Sequence, residues 1–390
     1  MTARRAAITG IGVITPIGIG FEKLAGGIAE GKSGVGEITN FDAESLPVRY
    51  AGEARDFDLT NHISSIKTYT DRTSAFALAA AAMALGDSEW IGNMLGAEIG
   101  LCLGSAWGCQ DSIELYTRKL VESGAKFAPP LVFTHGYPNA PNSLVSIEFG
   151  LRGHNACFAG GHTAGAAALE CALDLIRRDT SQRLLAGAAD ALSEVAVRTT
   201  IEEGLVTAGL CRPFDAAADG LLPGEAAALL ALESVNKARN RKAQVMGYLL
   251  GMGSGGGPTG VEALRRAVSR ALADAETDKI DGVFASASGL PCVDAAEAEV
   301  IAELPGTPPV VALKSVIGDP MGAWAPVAAA AALCCIDAGV LPAVADLREP
   351  LSDKINIVRK PLNVSPITSL ILNTEPSGYA AAMVVRGPDE

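Results

Sequence analysis

The sequence has no C-x-x-C pair and no H-x-x-x-H spacing, and it holds only four histidines, His62, His135, His154 and His162. No metal site is therefore expected from local ligand spacing, and no cofactor motif suggests itself. The eight cysteines, at 102, 109, 157, 171, 211, 292, 334 and 335, are scattered and lack a secretory context, which points to the cytoplasm and away from a disulfide framework. Charged residues are also sparse, at 19% against 49% hydrophobic residues over 390 positions. That balance excludes a disordered chain and allows one large core or two fused ones. Positive charge is not in excess: the formal net charge of -13 argues against nucleic acid or an anionic membrane surface as partner.

Long apolar runs are missing too. The opening MTARRAAITGIGVITPIG is basic at first, but Gly and Pro interrupt its apolar part and no small-residue cleavage site follows, so no signal peptide is expected. The Ala-rich stretch from Pro320 to Ile336 contains Pro326 and falls short of the roughly 20 apolar residues that span a bilayer. A buried helix is expected there.

What is present is an alternation of short apolar runs with Ala-rich helical stretches, the mark of an α/β protein. The order of elements occurs twice. The first half reads as strands at Ala6 to Val13, Ile99 to Leu103, around Cys157 and at Arg183 to Ala188, with helices at Ser74 to Leu85 and from the His162 turn through Ile176. The second reads as strands at Ala243 to Gly251 and Gly282 to Ala285, a Gly-rich turn, a helix from Val261 to Ala273, a turn at Gly318, and the Ala-rich helix through Ile336. Two similar halves follow, 1–242 and 243–390. Leu169, Leu173 and Ile176 fall at helical spacing amid small residues, as an interior helix requires. The basic run Lys237 to Lys242, KARNRK, reads as a solvated loop, or more sharply as a docking spot for an acidic carrier protein.

Several segments resemble the β-ketoacyl synthase family of the thiolase fold, over nearly the whole chain. ITGIGVITPIG is similar to the family's N-terminal strand and turn, and CRPFDAAADGLLPGEAAALLALE (211–233) to its RPFD…GEGA signature, with Ala218 and Ala226 as departures. FGLRGHNACFAGGHTAG (149–165) resembles the strand and nucleophile turn. Matching Gly153 and Gly165 without gaps puts His162 where the family has its cysteine; Cys157 would need a gap and is followed by the bulky Phe158. VFASASGLPCVDAAEAEVI (283–301) and VVALKSVIGDPMGA (310–323) resemble the loops that carry the two catalytic histidines, and there the matched positions are Ser286 and Asp319. The resemblance assigns Lys314 and Glu297 to a supporting polar network. The glycine loop near the C-terminus is unrecognisable in NTEPSGY (373–379).

The resemblance implies an αβαβα layered fold, and it implies that the reaction is lost. Decarboxylative condensation needs a thiolate to hold the acyl chain and hydrogen-bond donors to stabilise an enolate. An acyl-imidazole at His162 would pass to water, and an ionised Asp319 carries the wrong sign for an enolate. No catalytic residue is therefore expected. Removing one oxyanion donor typically costs about 100- to 1000-fold in turnover, and here two such positions change along with the nucleophile.

The function implied is that of a chain-length-factor-like subunit that does not condense alone. It would pair with an active ketosynthase as a heterodimer, shape the acyl tunnel in polyketide or related fatty-acid-like biosynthesis, and meet an acyl carrier protein directly or through the complex. The segment Phe127 to Ile147, rich in Pro and bulky apolar groups, reads either as a shaped interface wall or as a plain surface loop. Two alternatives stand beside this reading: an acyltransferase or thioesterase using His162 or Cys157, and a scaffold without an acyl site. Cys157 and His154 otherwise read as packed structural residues.

Overall fold

The computed structural model describes residues 5–90, 98–364 and 367–388. Ten strands form the body of one sheet: β1 (Ala6–Thr15), β2 (Ile99–Ser105), β3 (Asn155–Ala159), β4 (Arg183–Asp190), β5 (Ala226–Ser234), β6 (Gly247–Gly256), β7 (Gly282–Phe284), β8 (Pro309–Val311), β9 (Thr368–Thr374) and β10 (Tyr379–Arg386). In the first half β1 runs antiparallel to β5 and β5 to β4, while β4, β2 and β3 run parallel. In the second, β6 runs antiparallel to β10 and β10 to β9, while β9, β7 and β8 run parallel. The two sets share one pairing scheme and meet where β1 lies against β6. β3 ends the sheet on one side.

Helices complete five layers. Eight matter here: α1 (Arg72–Asp87), α2 (Gln110–Ser123), α3 (Pro130–His135), α4 (Ala140–Phe149), α5 (Ala164–Arg177), α6 (Gly260–Asp274), α7 (Pro291–Ala302) and α8 (Trp324–Ala338). α1 covers the outer face of the first half and α6 that of the second, while α5 and α8 lie between the halves in the largest apolar cluster. The stretch Met321–Ala338 is long and apolar enough to cross a membrane, but 83% of it is buried in the protein, so it is a core helix. Pro326 does not break α8, because it sits in the first turn, where its missing N–H has no partner to lose.

Three expectations need correction. The second-half strand begins at Gly247, not Ala243, and runs to Gly256 through glycines that read as a turn. The reason is helix approach: a Cβ on Gly251, Gly253 or Gly255 would stand 2.3 to 2.8 Å from carbonyl oxygens of α6. These alternate glycines are the strand face on which that helix rests. The segment from Phe127 is no plain loop, since α3 and α4 each carry a proline in the first turn. Nor is the basic run simply solvated. Its first part is a short helix, Val235–Asn240, and Arg241 donates to both oxygens of the fully buried Glu233, from Nε at 3.1 and 3.2 Å and from Nη2 at 2.5 Å.

Candidate functional site

β3 leads through Gly160 and Gly161 to His162 and Thr163, and α5 begins at Ala164. A helix N-terminus offers unsatisfied N–H donors and a partial positive charge. Here Glu375, which the sequence did not single out, takes one of them: Thr163 donates its backbone N–H at 2.8 Å and its hydroxyl at 2.7 Å to one oxygen of Glu375. A Cβ on Gly161 would lie 2.5 Å from that oxygen, so only glycine leaves room for the carboxylate. The unrecognisable loop 373–379 thus delivers a built-in anion to the turn. The one sequence signal was an acidic residue in a segment where the resemblance places glycine.

His162 is largely enclosed, with its side chain 16% exposed. Its Nε2 lies 3.9 Å from Asp319 Oδ2 and has no hydrogen-bond partner among the described residues. Burial holds the imidazole below its ordinary pKa, with Asp319 pulling upward and Lys314 downward, so it is neutral at neutral pH. Burial is the largest cause of that shift.

Lys314 is the hub beneath. Its Nζ donates to Asp319 Oδ2 at 3.0 Å and to Ser286 Oγ at 3.2 Å, and lies 5.1 Å from the centroid of the Trp324 ring. Both ends of the Lys314–Asp319 ion pair are almost wholly buried. Asp319 Oδ1 accepts from the N–H of Met321, whose φ of 50° is unusual for a side-chain-bearing residue. Glu297 Oε1 accepts from Ser286 N at 3.2 Å and Thr374 Oγ1 at 2.8 Å, while Oε2 has no partner among the described residues. Complete burial pushes this carboxyl up to about 8, against the Thr374 hydrogen bond, so it is largely protonated at neutral pH.

The fold therefore brings together His162, Ser286, Asp319, Lys314 and Glu297. Lys314, the cation among them, is matched by a carboxylate, and both oxygens of that carboxylate accept from protein donors. The donors of Thr163 are likewise engaged. Charge that develops on a bound acyl group would find these partners taken.

Cys157 is elsewhere, and it is not packed inside as its strand position implied. β3 is an edge strand on which Ala156 and Phe158 turn to the core, so Cys157 faces outward and is exposed, its thiol 3.4 Å from the carbonyl of Pro138. Partial desolvation raises its pKa, the opposite of what a nucleophile needs. His154, at the foot of the same strand, is also exposed.

The residues 212–225 brace the crevice. Asp215 accepts from the N–H groups of Ala217, Arg348 and Glu349, and Glu225, fully buried, accepts from Ala54 N, Leu192 N and Arg72. Gly224 N donates to Asp319 O, which ties this segment to the turn that aims Asp319.

Residues 3–238 match the model of the beta-ketoacyl synthase N-terminal domain, and residues 243–348 that of its C-terminal domain. The chain belongs to the beta-ketoacyl synthase family. It is similar to the tetracenomycin polyketide synthase ketoacyl synthase beta subunit of Streptomyces glaucescens, 32% identical with 97% of each chain covered. It is also similar to the actinorhodin polyketide putative beta-ketoacyl synthase 2 of Streptomyces coelicolor, 30% identical over 97% of this chain and 98% of that one. Among solved structures it resembles the ishigamide ketosynthase/chain length factor, with a TM-score of 0.93 and 27% identity over 99% of this chain and 100% of the other. The layered fold is that of the thiolase-like ketosynthases.

Proposed function

We propose that this chain is a chain-length-factor-like subunit that pairs with an active ketosynthase and shapes the acyl tunnel of a type II polyketide or related synthase without condensing. The observation that carries the reading is the nucleophile turn. It presents a neutral His162 in place of a thiol, and Glu375 accepts both donors of the neighbouring Thr163 at the helix end. In this reading Ser286 and Asp319 fill the positions of the family's histidines and serve, with Lys314 and Glu297, to hold the crevice in shape. Likeness to a ketoacyl synthase beta subunit and to a ketosynthase/chain length factor supports the same role.

The partner surface is supported by placement of apolar groups. Ile113, Leu115, Leu120, Val121, Phe127, Leu131, Phe133, Tyr137 and Ile147 are all exposed, and all lie on α2 to α4 and their connections. A concentration of exposed apolar side chains marks a contact surface. We place the boundary between the halves at 242/243, just before β6, and the protein in the cytoplasm, where eight free thiols suit a reducing compartment. The acyl carrier protein then engages the assembled pair.

The reading is tested by expressing the chain alone and with a candidate ketosynthase, then following copurification, acyl labelling and product length. Copurification with labelling confined to the partner supports it. Turnover by the isolated chain, lost in His162→Ala or Cys157→Ala, would establish an acyltransferase or thioesterase in its place.

A further inference from the structure

One cluster of ligating groups lies away from the crevice. The sulfurs of Cys102 and Cys171 and a nitrogen of His154 all lie within 4.8 Å of one another. They come from three elements, β2, the residue before β3, and α5, so no local spacing in the sequence could reveal them. Their convergence follows from the pleat. Cys102 pairs with Ala156 across the parallel strands, and Leu101 N donates to His154 O at 2.7 Å. His154, Ala156 and Phe158 then share one face, because side chains alternate along a strand. Ala156, Phe158 and Cys171 all pack against the cluster that contains Cys102. Gly100 makes room for this register, since a Cβ there would stand 2.7 Å from His154 O.

We propose that Cys102, Cys171 and His154 form a binding site for a thiophilic divalent metal ion such as zinc. Two thiolates and a neutral imidazole are the donor set that soft and borderline metals prefer over magnesium or calcium. Zinc–sulfur bonds of about 2.3 Å place two sulfurs roughly 3.8 Å apart, so the two sulfurs close by about 1 Å at most. Cys171 is only half-buried and His154 is exposed, which leaves both free to adjust and leaves a path from solvent. Three protein ligands leave a fourth position, which suits a water.

The electrostatics agree. Binding releases one proton from each thiol, and M²⁺ with two thiolates and a neutral imidazole is neutral overall, compatible with the apolar wall behind Cys102. Burial raises the Cys171 thiol most, a hydrogen bond with the Cys102 thiol opposes it, and the nearby Asp174 and Glu170 add to the rise. Without metal, burial keeps the Cys102 thiol protonated. A bound ion would fasten the start of the edge strand to α5, the two elements joined by the His162 turn.

The test uses the reduced full chain, alone and with its partner ketosynthase, titrated with Co²⁺ as a spectroscopic stand-in for zinc. The expected result is one ion per chain with a thiolate-to-cobalt charge-transfer band that zinc displaces. The band is lost in Cys171→Ala and in Cys102→Ala, and its d–d bands shift in His154→Ala. His154→Ala and Cys171→Ala alter side chains that are not fully buried, so folding is retained. Cys157→Ala, on the outward face of the same strand, keeps the full signal. No band, a band that survives loss of both Cys102 and Cys171, or a band removed by Cys157→Ala would overturn the proposal. So would a Cys102–Cys171 disulfide formed on mild oxidation by a chain that takes up no cobalt.

Discussion

The crevice around His162 and the flank formed by α2 to α4 handle their side chains in opposite ways. In the crevice, enclosed polar groups mostly answer one another, Lys314 meeting Asp319 and Ser286 and Thr163 meeting Glu375, while His162 Nε2 and Glu297 Oε2 are without partners among the described residues. On the flank, apolar groups stand in the open, with Val121 79%, Ile147 76% and Phe127 65% exposed. Polar capacity that is used up internally serves structure, whereas apolar area left uncovered awaits a partner. In the proposed reading the flank serves assembly and the crevice serves structure.

The widest gap between the regions should appear in binding. Phe127→Asp combined with Ile147→Asp should abolish copurification with a ketosynthase, since a central interface anchor is worth about 2 kcal/mol or more. The circular dichroism spectrum should be unchanged. If the pair still copurifies, the flank is not the contact surface and the comparison breaks.

In the crevice the largest effect should be on stability. Lys314→Met leaves Asp319 buried without its cation and should cost about 3–5 kcal/mol in denaturant unfolding. The double change Lys314→Met with Asp319→Leu should recover most of that loss. A single substitution with no effect on unfolding would show that the ion pair does not hold the crevice.

Chemistry should respond less than stability. His162→Cys restores a thiol but leaves Glu375 on the helix end and Asp319 below it, so acyl label should remain confined to the partner. Labelling of the His162→Cys chain followed by condensation in the absence of a partner would mean that the crevice is closed by one residue alone.

The smallest effect concerns pH. Glu297 is raised to about 8 in the fold from an ordinary value of 4.5, so the folded protein binds this proton more tightly than the unfolded chain does. The stability it contributes is complete below the unfolded value and is lost as pH rises through about 8. Between about pH 7 and 8 the buried, neutral His162 contributes little, because it is uncharged in both states. Unfolding free energy should therefore fall across that window, and Glu297→Gln should flatten the slope. An unchanged slope in the variant would locate the titration elsewhere.

Much of this was legible in the sequence. The repeated strand and helix order is a matter of apolar periodicity, and the two histidine-loop segments do bring Ser286 and Asp319 to Lys314. What was hidden depended on contacts between distant segments. Gly251, Gly253 and Gly255 look like a turn until α6 is laid across them. Glu375 is one acid among many until its loop returns to Thr163, 212 positions away. Cys157 reads as core because a strand's burial depends on what covers its other face, and here the Pro138 carbonyl and the nearby helix α4 cover that face only in part, leaving the thiol exposed.

That edge strand, β3, bears on how the protein is made in the cell. A sheet that stops at an edge leaves a row of main-chain donors and acceptors on offer to any passing strand, and the exposed flank adds greasy area beside it. A newly made chain without its companion is thus exposed to quality control and to self-association. Its yield should track the supply of the companion, rising with balanced co-production and falling when this chain is made in surplus.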